Sequence, residues 1–173
     1  MKPAQPAAGD RARVSVTVCV PPETAWTLFS TEIDRWWRRG PKFRHAGTRG
    51  GFIHIEPRVG GRLFESIDDE GGERVFEVGR VGVWEPPHRL AFSRRNANFT
   101  GHETTEVDVA FAAVPAGTMV TVTHRGWSAL RGDHPARHGL AGAAFSRMIG
   151  LWWGEQMSAL RELSVARAPD EPA

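Results

Sequence analysis

The last quarter of the chain carries the strongest hydrophobic pattern. Between residues 139 and 165, large apolar side chains return every three or four positions, as one face of an α-helix requires. The predicted apolar face comprises Phe145, Met148, Ile149, Trp152, Gln156, Leu160 and Leu163. The opposite face carries Arg147, Gly150, Gly154, Ser158, Arg161 and Glu162. Because burying one large apolar side chain contributes about 1.5–3 kcal/mol, this helix needs a large surface to pack against.

Most of the preceding chain alternates between apolar and polar residues, as half-buried β-strands do. In residues 13–20, valines at every second position alternate with Arg13, Ser15, Thr17 and Cys19. Seven strands are predicted, at residues 13–20, 52–56, 62–67, 73–84, 89–94, 104–114 and 119–126. A turn at residues 115–118 joins the last two strands into a hairpin. Since six strands follow one another without intervening helices, the sheet is expected to be antiparallel.

Two short helical segments follow the first strand. Pro21 and Pro22 end the strand, and Pro22 suits the first turn of a helix over residues 23–29. Residues 31–37 can add another turn or two. The predicted fold is therefore α+β, with a curved antiparallel sheet of about seven strands wrapped around a long C-terminal helix. Residues 13–165 would form the single domain, between flexible Pro- and Ala-rich tails at residues 1–12 and 166–173.

Composition narrows the class of protein. With 173 residues, 40% hydrophobic and 24% charged, the chain suits one globular domain. Its lone cysteine, Cys19, excludes an intramolecular disulfide and a thiolate metal cluster, and is expected to be a small filler. No apolar run reaches the roughly 18 residues of a membrane span, and the first 13 residues lack the apolar stretch of a signal peptide. A cytoplasmic location is therefore expected.

Residues 35–49, called the basic loop below, interleave cations with aromatic residues. The cations are Arg35, Arg38, Arg39, Lys42, Arg44 and Arg49, and the aromatic residues are Trp36, Trp37 and Phe43. The pattern suits docking of an acidic ligand or an acidic protein surface at Arg38, Arg39, Lys42 and Arg44. It also resembles a platform for single-stranded nucleic acid, but the low net charge of +2 and the Gly and Pro breakers argue against nucleic acid as a partner.

Three polar residues fall in otherwise apolar rows of the predicted strands: Glu65, Glu77 and His124. Strand parity places Glu77 on the same side as Val75 and Val81. A carboxyl group in such a row either pairs with a cation such as Arg80 or Arg94, or stays neutral with a raised pKa. The three residues are therefore candidate acids or bases for catalysis, with a satisfied rim position as the alternative.

Metal and cofactor chemistry find little support. His134 and His138 have helical i, i+4 spacing, but Pro135 lies between them and the glutamate of a zinc-hydrolase motif is missing. Neither of the common Gly-rich phosphate-binding motifs occurs, and Ser, His and Asp form no recognisable nucleophile elbow. Neither a cofactor nor a metal is therefore predicted.

Five stretches together resemble one protein superfamily. They are VSVTVCVPPETAWTLFS at 14–30, VGGRLFE at 59–65, VGVWEPPHRLAFS at 81–93, GTMVTVTHRGW at 117–127 and the closing WWGEQMSALREL. With the order of predicted elements, they are similar to the SRPBCC superfamily, which includes the START and birch-pollen-allergen folds. The branch they resemble is homologous to the C-terminal domain of the activator of the ninety-kilodalton heat-shock-protein ATPase. The likeness covers about residues 13–165.

The resemblance implies a helix-grip fold around a hydrophobic cavity, and hence a module that binds a hydrophobic, aromatic or lipid-like small molecule. The residues expected to contact the ligand are Phe145, Met148, Ile149, Trp152, Gln156, Trp36 and Trp37. Two alternatives remain open: a cyclase- or hydrolase-type enzyme that uses the polar residues above, and a co-chaperone-like protein-binding domain. The eukaryotic activators carry a further N-terminal domain for which this sequence has no room, and this counts against the co-chaperone reading. The sequence leaves open whether the protein is a monomer or a homodimer.

Overall fold

The predicted α+β helix-grip architecture is confirmed. A computed structural model of the chain describes residues 9–47 and 50–169. In these residues seven strands form one antiparallel sheet that curls into a half-barrel, in the order β1-β7-β6-β5-β4-β3-β2. The strands are β1 (Ala12–Val18), β2 (Phe52–Ile55), β3 (Arg62–Asp69), β4 (Gly72–Glu85), β5 (Arg89–Arg94), β6 (Thr105–Val114) and β7 (Gly117–Arg125).

Two α-helices accompany the sheet in the part of the chain described. Helix α1 (Pro22–Phe29) follows β1 and leads into a single 3₁₀ turn at Ile33–Arg35. The long helix α2 (Gly142–Val165) ends the fold, after further 3₁₀ turns at Trp127–Ala129 and Pro135–Arg137. It begins later than predicted because His138 and Gly139 have positive φ angles of 48° and 73°, which a right-handed helix does not accept. None of the described helices is long and apolar enough to cross a membrane.

Most of the two predicted tails lies outside the described residues, which begin at residue 9 and end at residue 169. The described parts contact the rest of the chain. The Asp10 carboxylate accepts hydrogen bonds from the backbone N–H and the hydroxyl of Ser128, and Arg167 pairs with Glu32. The flexibility of the tails therefore stays a prediction.

The alternation predicted for the first strand is confirmed. Strand β1 pairs with β7, with Val14 opposite Val122 and Val16 opposite Val120. Val18 and Val20 are buried, and Cys19 is exposed on the other side, as expected. The valine face packs toward α2, since a β-carbon added to Gly150 would lie 4.0 Å from Val14 Cγ2. One face of β1 therefore joins the core and the other faces outward.

A β-bulge overturns the predicted position of Glu77. Leu63 of β3 lies opposite Gly79, but Phe64 lies opposite Glu77, so Val78 is an extra residue in β4. The extra residue reverses the alternation of faces, because the side-chain period of a strand is two. Val78 is buried, whereas Glu77 turns outward and pairs with Arg80. The prediction that Glu77 shares a side with Val81 is wrong for this reason.

Helix α2 presents a slightly different face to the core from the one predicted. Trp153 and Met157, which the predicted face omits, are buried with 3% and 1% exposure. Met148, Trp152 and Leu163 are half-buried at the edge of the face. The inward direction of α2 is thus centred on Trp153, and this leaves Trp152 beside an open space.

Candidate functional site

A cavity of about 470 Å³ opens at one end of the half-barrel. The inner faces of β2 to β5 form its floor, and the basic loop, the turn before α2 and α2 itself form its walls. Its aromatic lining consists of Trp37, Phe43, Phe76 and Trp152. Its polar lining includes Lys42, His45, Glu65, Arg94, Arg95, Asn96, Asn98 and His138. A mainly apolar concavity with a few polar groups is typical of small-molecule sites, and the volume lies within their usual range.

The aromatic walls are held in place by their neighbours. The Trp37 Nε1–H donates a hydrogen bond of 3.0 Å to the Phe43 carbonyl, which ties two walls of the cavity together. The His45 ring stacks on Phe76 with a centroid distance of 3.9 Å. The His138 and Trp152 rings pack in a T-shaped arrangement with their centroids 5.5 Å apart. These contacts fix the orientation of flat apolar surfaces around the cavity.

Arg94, at the end of β5, is the charged group least compensated by its surroundings. Its guanidinium carbon lies 5.4 Å from the centre of the Trp37 ring and 5.9 Å from that of Trp153. Its buried Nε has no hydrogen-bond acceptor among the described residues. Burial lowers the pKa of Arg94 to about 10, with Glu65 acting in the opposite direction, so the side chain stays charged at neutral pH.

Glu65, the one predicted catalytic candidate that lines the cavity, already has hydrogen-bond partners. It is buried, as its place between Leu63 and Ile67 in β3 predicts. One carboxylate oxygen accepts the backbone N–H of His45 at 2.7 Å, and the other accepts that of Ala46 at 3.2 Å. Glu65 therefore anchors the basic loop to the sheet.

His124 lies in the core beneath the cavity wall and does not line the cavity itself. Its Nδ1 accepts the Trp153 indole N–H at 3.1 Å, so the proton of the neutral ring is on Nε2. That N–H faces the Thr105 hydroxyl oxygen at 2.7 Å, and the hydroxyl in turn donates to the Arg94 carbonyl at 2.9 Å. Desolvation, together with the positive charge of Arg94, lowers the pKa of His124 well below 6.5. His124 is thus a neutral, fully hydrogen-bonded core residue.

The basic loop is partly built into the fold. Arg44, predicted as a docking cation, is buried: its guanidinium pairs with Asp34 at 2.7 Å and donates to the Trp37 carbonyl at 2.6 Å. Arg44 is therefore unavailable to a partner, and this part of the docking prediction is wrong. Lys42 pairs with Glu155 of α2, and the Arg38 Nε–H donates to the Glu155 carbonyl. Arg49 lies outside the described residues.

The residues predicted to contact a ligand separate into three groups. Trp37 and Trp152 line the cavity, whereas Ile149 and Gln156 lie with Trp152 around a narrow crevice beside it. Phe145 and Trp36 are buried in packed core, and Met148 is half-buried away from the cavity. Trp36 donates its indole N–H to the Leu28 carbonyl at 2.9 Å. Whether any of them binds a ligand stays a prediction.

From the sequence, Arg94 is expected only as a possible partner for a carboxylate, although its position in β5 indicates that its side chain points inward. It shares strand parity with Leu90 and Phe92, both buried, so alternation along β5 directs it inward. Phe76 and His45 carried no such signal, because a bulge and an irregular loop position them.

The two histidines with i, i+4 spacing in the sequence, His134 and His138, have different partners. His134 accepts the Ala136 N–H on Nδ1 and has its Nε2 3.2 Å from a Glu103 oxygen, whereas His138 packs on Trp152. Across residues 9–47 and 50–169, no group of three His, Cys, Asp or Glu side chains is arranged to hold a metal ion.

A long C-terminal helix gripped by a curled antiparallel sheet, with a cavity at one end, defines a helix-grip domain of the SRPBCC superfamily. The profile of the family described as "Activator of Hsp90 ATPase homolog 1-like protein" matches residues 19–148, and the chain belongs to that family. No curated protein matches the chain.

Solved structures share the fold at low sequence identity. Protein MLL2253 from Mesorhizobium loti is 17% identical, with a TM-score of 0.60 over 92% of this chain and 98% of that one. An AHSA1-like protein from Aeromonas hydrophila is 18% identical, with a TM-score of 0.60 over 94% of this chain and 98% of that one. The Aha1 dimer from Colwellia psychrerythraea is 15% identical, with a TM-score of 0.56 over 88% and 93% of the two chains.

Proposed function

We propose that the protein is a small-molecule-binding domain that holds a hydrophobic ligand in the cavity walled by Trp37, Phe43, Phe76 and Trp152. The observation that carries this proposal is the cavity itself, at about 470 Å³ with flat aromatic walls and polar groups between them. Flat aromatic walls around a concavity of this volume are typical of small-molecule sites. A cytoplasmic location is part of the proposal.

The enzyme alternative has less support. Glu77 faces outward with Arg80, and His124 is neutral and fully hydrogen-bonded away from the cavity. Glu65 does line the cavity, but both its oxygens accept backbone N–H groups. A general base needs an oxygen or nitrogen within hydrogen-bond reach of the substrate proton. Ligand binding without chemistry therefore agrees better with the geometry.

Fluorescence titration of the intact protein with a panel of apolar and aromatic compounds tests the proposal, since Trp37 and Trp152 are in the cavity wall. We expect saturable quenching and a raised thermal midpoint for some members of the panel. Trp152→Ala should keep the fold, because Trp152 is half-buried, and should weaken binding. Trp84→Ala, outside the cavity, serves as the control for a lost indole. If no compound changes the fluorescence or the midpoint, the cavity is not a ligand site.

Docking of an acidic protein surface is a second candidate, favoured by the exposed cations at the rim. Arg39 and Lys42 have side-chain exposures of 53% and 38%. A double charge reversal, Arg38→Glu with Arg39→Glu, should abolish a salt-sensitive association while leaving the thermal midpoint nearly unchanged. Binding that survives both salt and charge reversal would count against docking here. Light scattering in the same buffers gives the oligomeric state, which for the Colwellia psychrerythraea protein is a dimer.

A further inference from the structure

Arg94 indicates which chemical group of a ligand the cavity can hold, in addition to its apolar part. It lines both the cavity and the narrow crevice beside it, so its guanidinium faces the space where a ligand would lie. Among the described residues, its buried Nε–H has no hydrogen-bond acceptor, and Glu65, the carboxylate that acts on it electrostatically, forms no ion pair with it. A buried N–H without an acceptor is costly, because a polar group taken out of water needs a hydrogen bond.

The surroundings of Arg94 compensate for only part of this cost. The faces of Trp37 and Trp153 attract the cation, at 5.4 and 5.9 Å from the ring centres. They provide no hydrogen-bond acceptor in the plane of the guanidinium. Glu65 acts on Arg94 electrostatically, but its carboxylate accepts the backbone N–H groups of His45 and Ala46 and forms no ion pair with Arg94 in the described chain. The edge of the guanidinium that faces the cavity is therefore without an acceptor in the described chain.

The charged residues that line the cavity are mostly cations, like Arg94 itself. Lys42, Arg44 and Arg95 also line it, and Glu65 is the only carboxylate among its described lining residues. Arg44 is paired with Asp34. Lys42 is neutralised by Glu155 outside the cavity, and Arg95 reaches back to the Phe99 carbonyl at 3.3 Å. Arg94 is thus the lining cation best placed to hold an anionic group within the cavity.

We infer that the ligand is a small apolar monocarboxylate, whose carboxylate accepts two parallel hydrogen bonds from Arg94 and whose apolar body lies between the aromatic walls. This inference rests on the proposed function and specifies its ligand class. A guanidinium matches a carboxylate in planar, bidentate geometry, which a lysine does not. Lipid-like ligands without an acid group would leave Arg94 unpaired.

The test compares 2-naphthoate with 2-naphthamide, which has nearly the same shape but no charge. With the wild-type protein at neutral pH, we expect the acid to bind at least about 30-fold more tightly, since a desolvated charge pair contributes most of the difference. Arg94→Gln should reduce the acid to the affinity of the amide without weakening the amide. Arg89→Gln is the matched control, because Arg89 lies on the same strand but pairs with Asp108 on the outer surface.

Each outcome decides between the inference and the proposed function. Equal binding of acid and amide to the wild-type protein would overturn the inference and leave the proposed function standing, whereas binding of neither would overturn both. If Arg94→Gln does not fold, Arg94→Lys replaces it: the acid should still bind better than the amide, but several-fold more weakly than to the wild type. An acid preference that collapses between about 50 mM and about 300 mM salt would assign it to the exposed Lys42 and Arg39 instead, and would also overturn the inference.

Discussion

Arg44 shows, at the scale of a single residue, how a cation in a basic sequence can serve the fold. It is 5% exposed, and its guanidinium reaches the carboxylate and carbonyl of Asp34 as well as the carbonyls of Trp37 and Arg38. Because Trp37 is a wall of the cavity, these bonds connect the basic loop to the site. The composition of the loop alone could not distinguish this arginine from its exposed neighbours.

Replacing Arg44 should therefore destabilise the protein. Arg44→Met removes a buried partner of Asp34, and we expect a loss of about 2–3 kcal/mol in the free energy of unfolding. The loss is smaller than the roughly 3–5 kcal/mol of a fully buried pair, because Asp34 keeps some contact with solvent. Denaturant melts give the value. Arg39→Met is the matched control, since Arg39 reaches the same carboxylate from the surface and should cost at most about 0.5 kcal/mol. Equal losses for the two variants would refute this role for Arg44.

His124 makes stability depend on pH in a defined window. Its pKa in the folded protein lies well below 6.5, so the unfolded chain binds more protons as the pH falls below that value. The stabilisation is complete above about pH 6.5 and is lost as the pH decreases, with a slope of up to about 1.4 kcal/mol per pH unit. The lowered pKa values of carboxylates such as Asp34 and Glu56 act below about pH 4.5, outside this window.

His124→Gln should remove this pH dependence. We expect the variant to be less stable than the wild type at about pH 7.5, by about 1–3 kcal/mol, because the Trp153 and Thr105 hydrogen bonds are disturbed. Between about pH 7 and about pH 5, its free energy of unfolding should fall less steeply than that of the wild type. Urea melts across this range give both slopes. Parallel slopes would mean that another histidine causes the effect.

At the scale of the element, strand β4 is irregular where it lines the cavity. The bulge at Val78 turns both Phe76 and Val78 into the cavity and Glu77 out of it. Gly79 belongs to this bulge, and a β-carbon built on it would lie 1.6 Å from the Ser93 carbonyl oxygen of β5. The glycine thus allows the two backbones to approach closely.

Alanine substitutions at two glycines of β4 distinguish the effect of the close backbone approach from the effect of strand propensity. Gly79→Ala should cost about 3 kcal/mol or more, because a backbone carbonyl cannot move aside without disrupting the pairing of β4 with β5. In Gly82→Ala the new methyl group meets nothing closer than the Ala91 carbonyl oxygen at 4.0 Å, so its stability should change by less than about 1 kcal/mol. Thermal melts of both variants check the difference. If Gly79→Ala is tolerated as well as Gly82→Ala, the close approach is not rigid.

The sequence predicted the elements better than their irregularities. Alternation located all the strands of β1 to β7 and the inward side of Glu65 and His124, since a regular strand has a fixed period. It failed at Glu77 because parity assumes that no residue is inserted, although the glycines at 79 and 82 were signals of bulges. The cavity lining was only half predicted, because tertiary packing that no local pattern records brings Phe76, His45 and Arg94 into the same cavity as Trp152.

At the scale of the whole molecule, aromatic rings connect the site to the core. Trp37 contacts both Trp36 and Trp153, and Trp153 contacts His124, with ring centroids no more than 6.0 Å apart in each pair. His124 and Phe145 both pack on Trp127. Because protein interiors transmit strain, a ligand that moves Trp37 acts on a large part of the core. These ring contacts explain why Trp36 and Phe145 are buried aromatic residues connected to the site although neither of them lines the cavity.

The position of β1 determines the order in which the protein can be completed during synthesis. In the described part of the chain, the first strand lies at the edge of the sheet, pairs only with β7, and has its valine face covered by α2. Both β7 and α2 follow the other strands in the chain, so a nascent chain carries β1 with an unpaired edge and an uncovered apolar face until α2 has been made. Strands β2 to β6 form sequential hairpins and can pair earlier, because their contacts are local. The domain therefore closes only after α2 has been made, and chains that stop before α2 would expose β1 as an aggregation-prone strand.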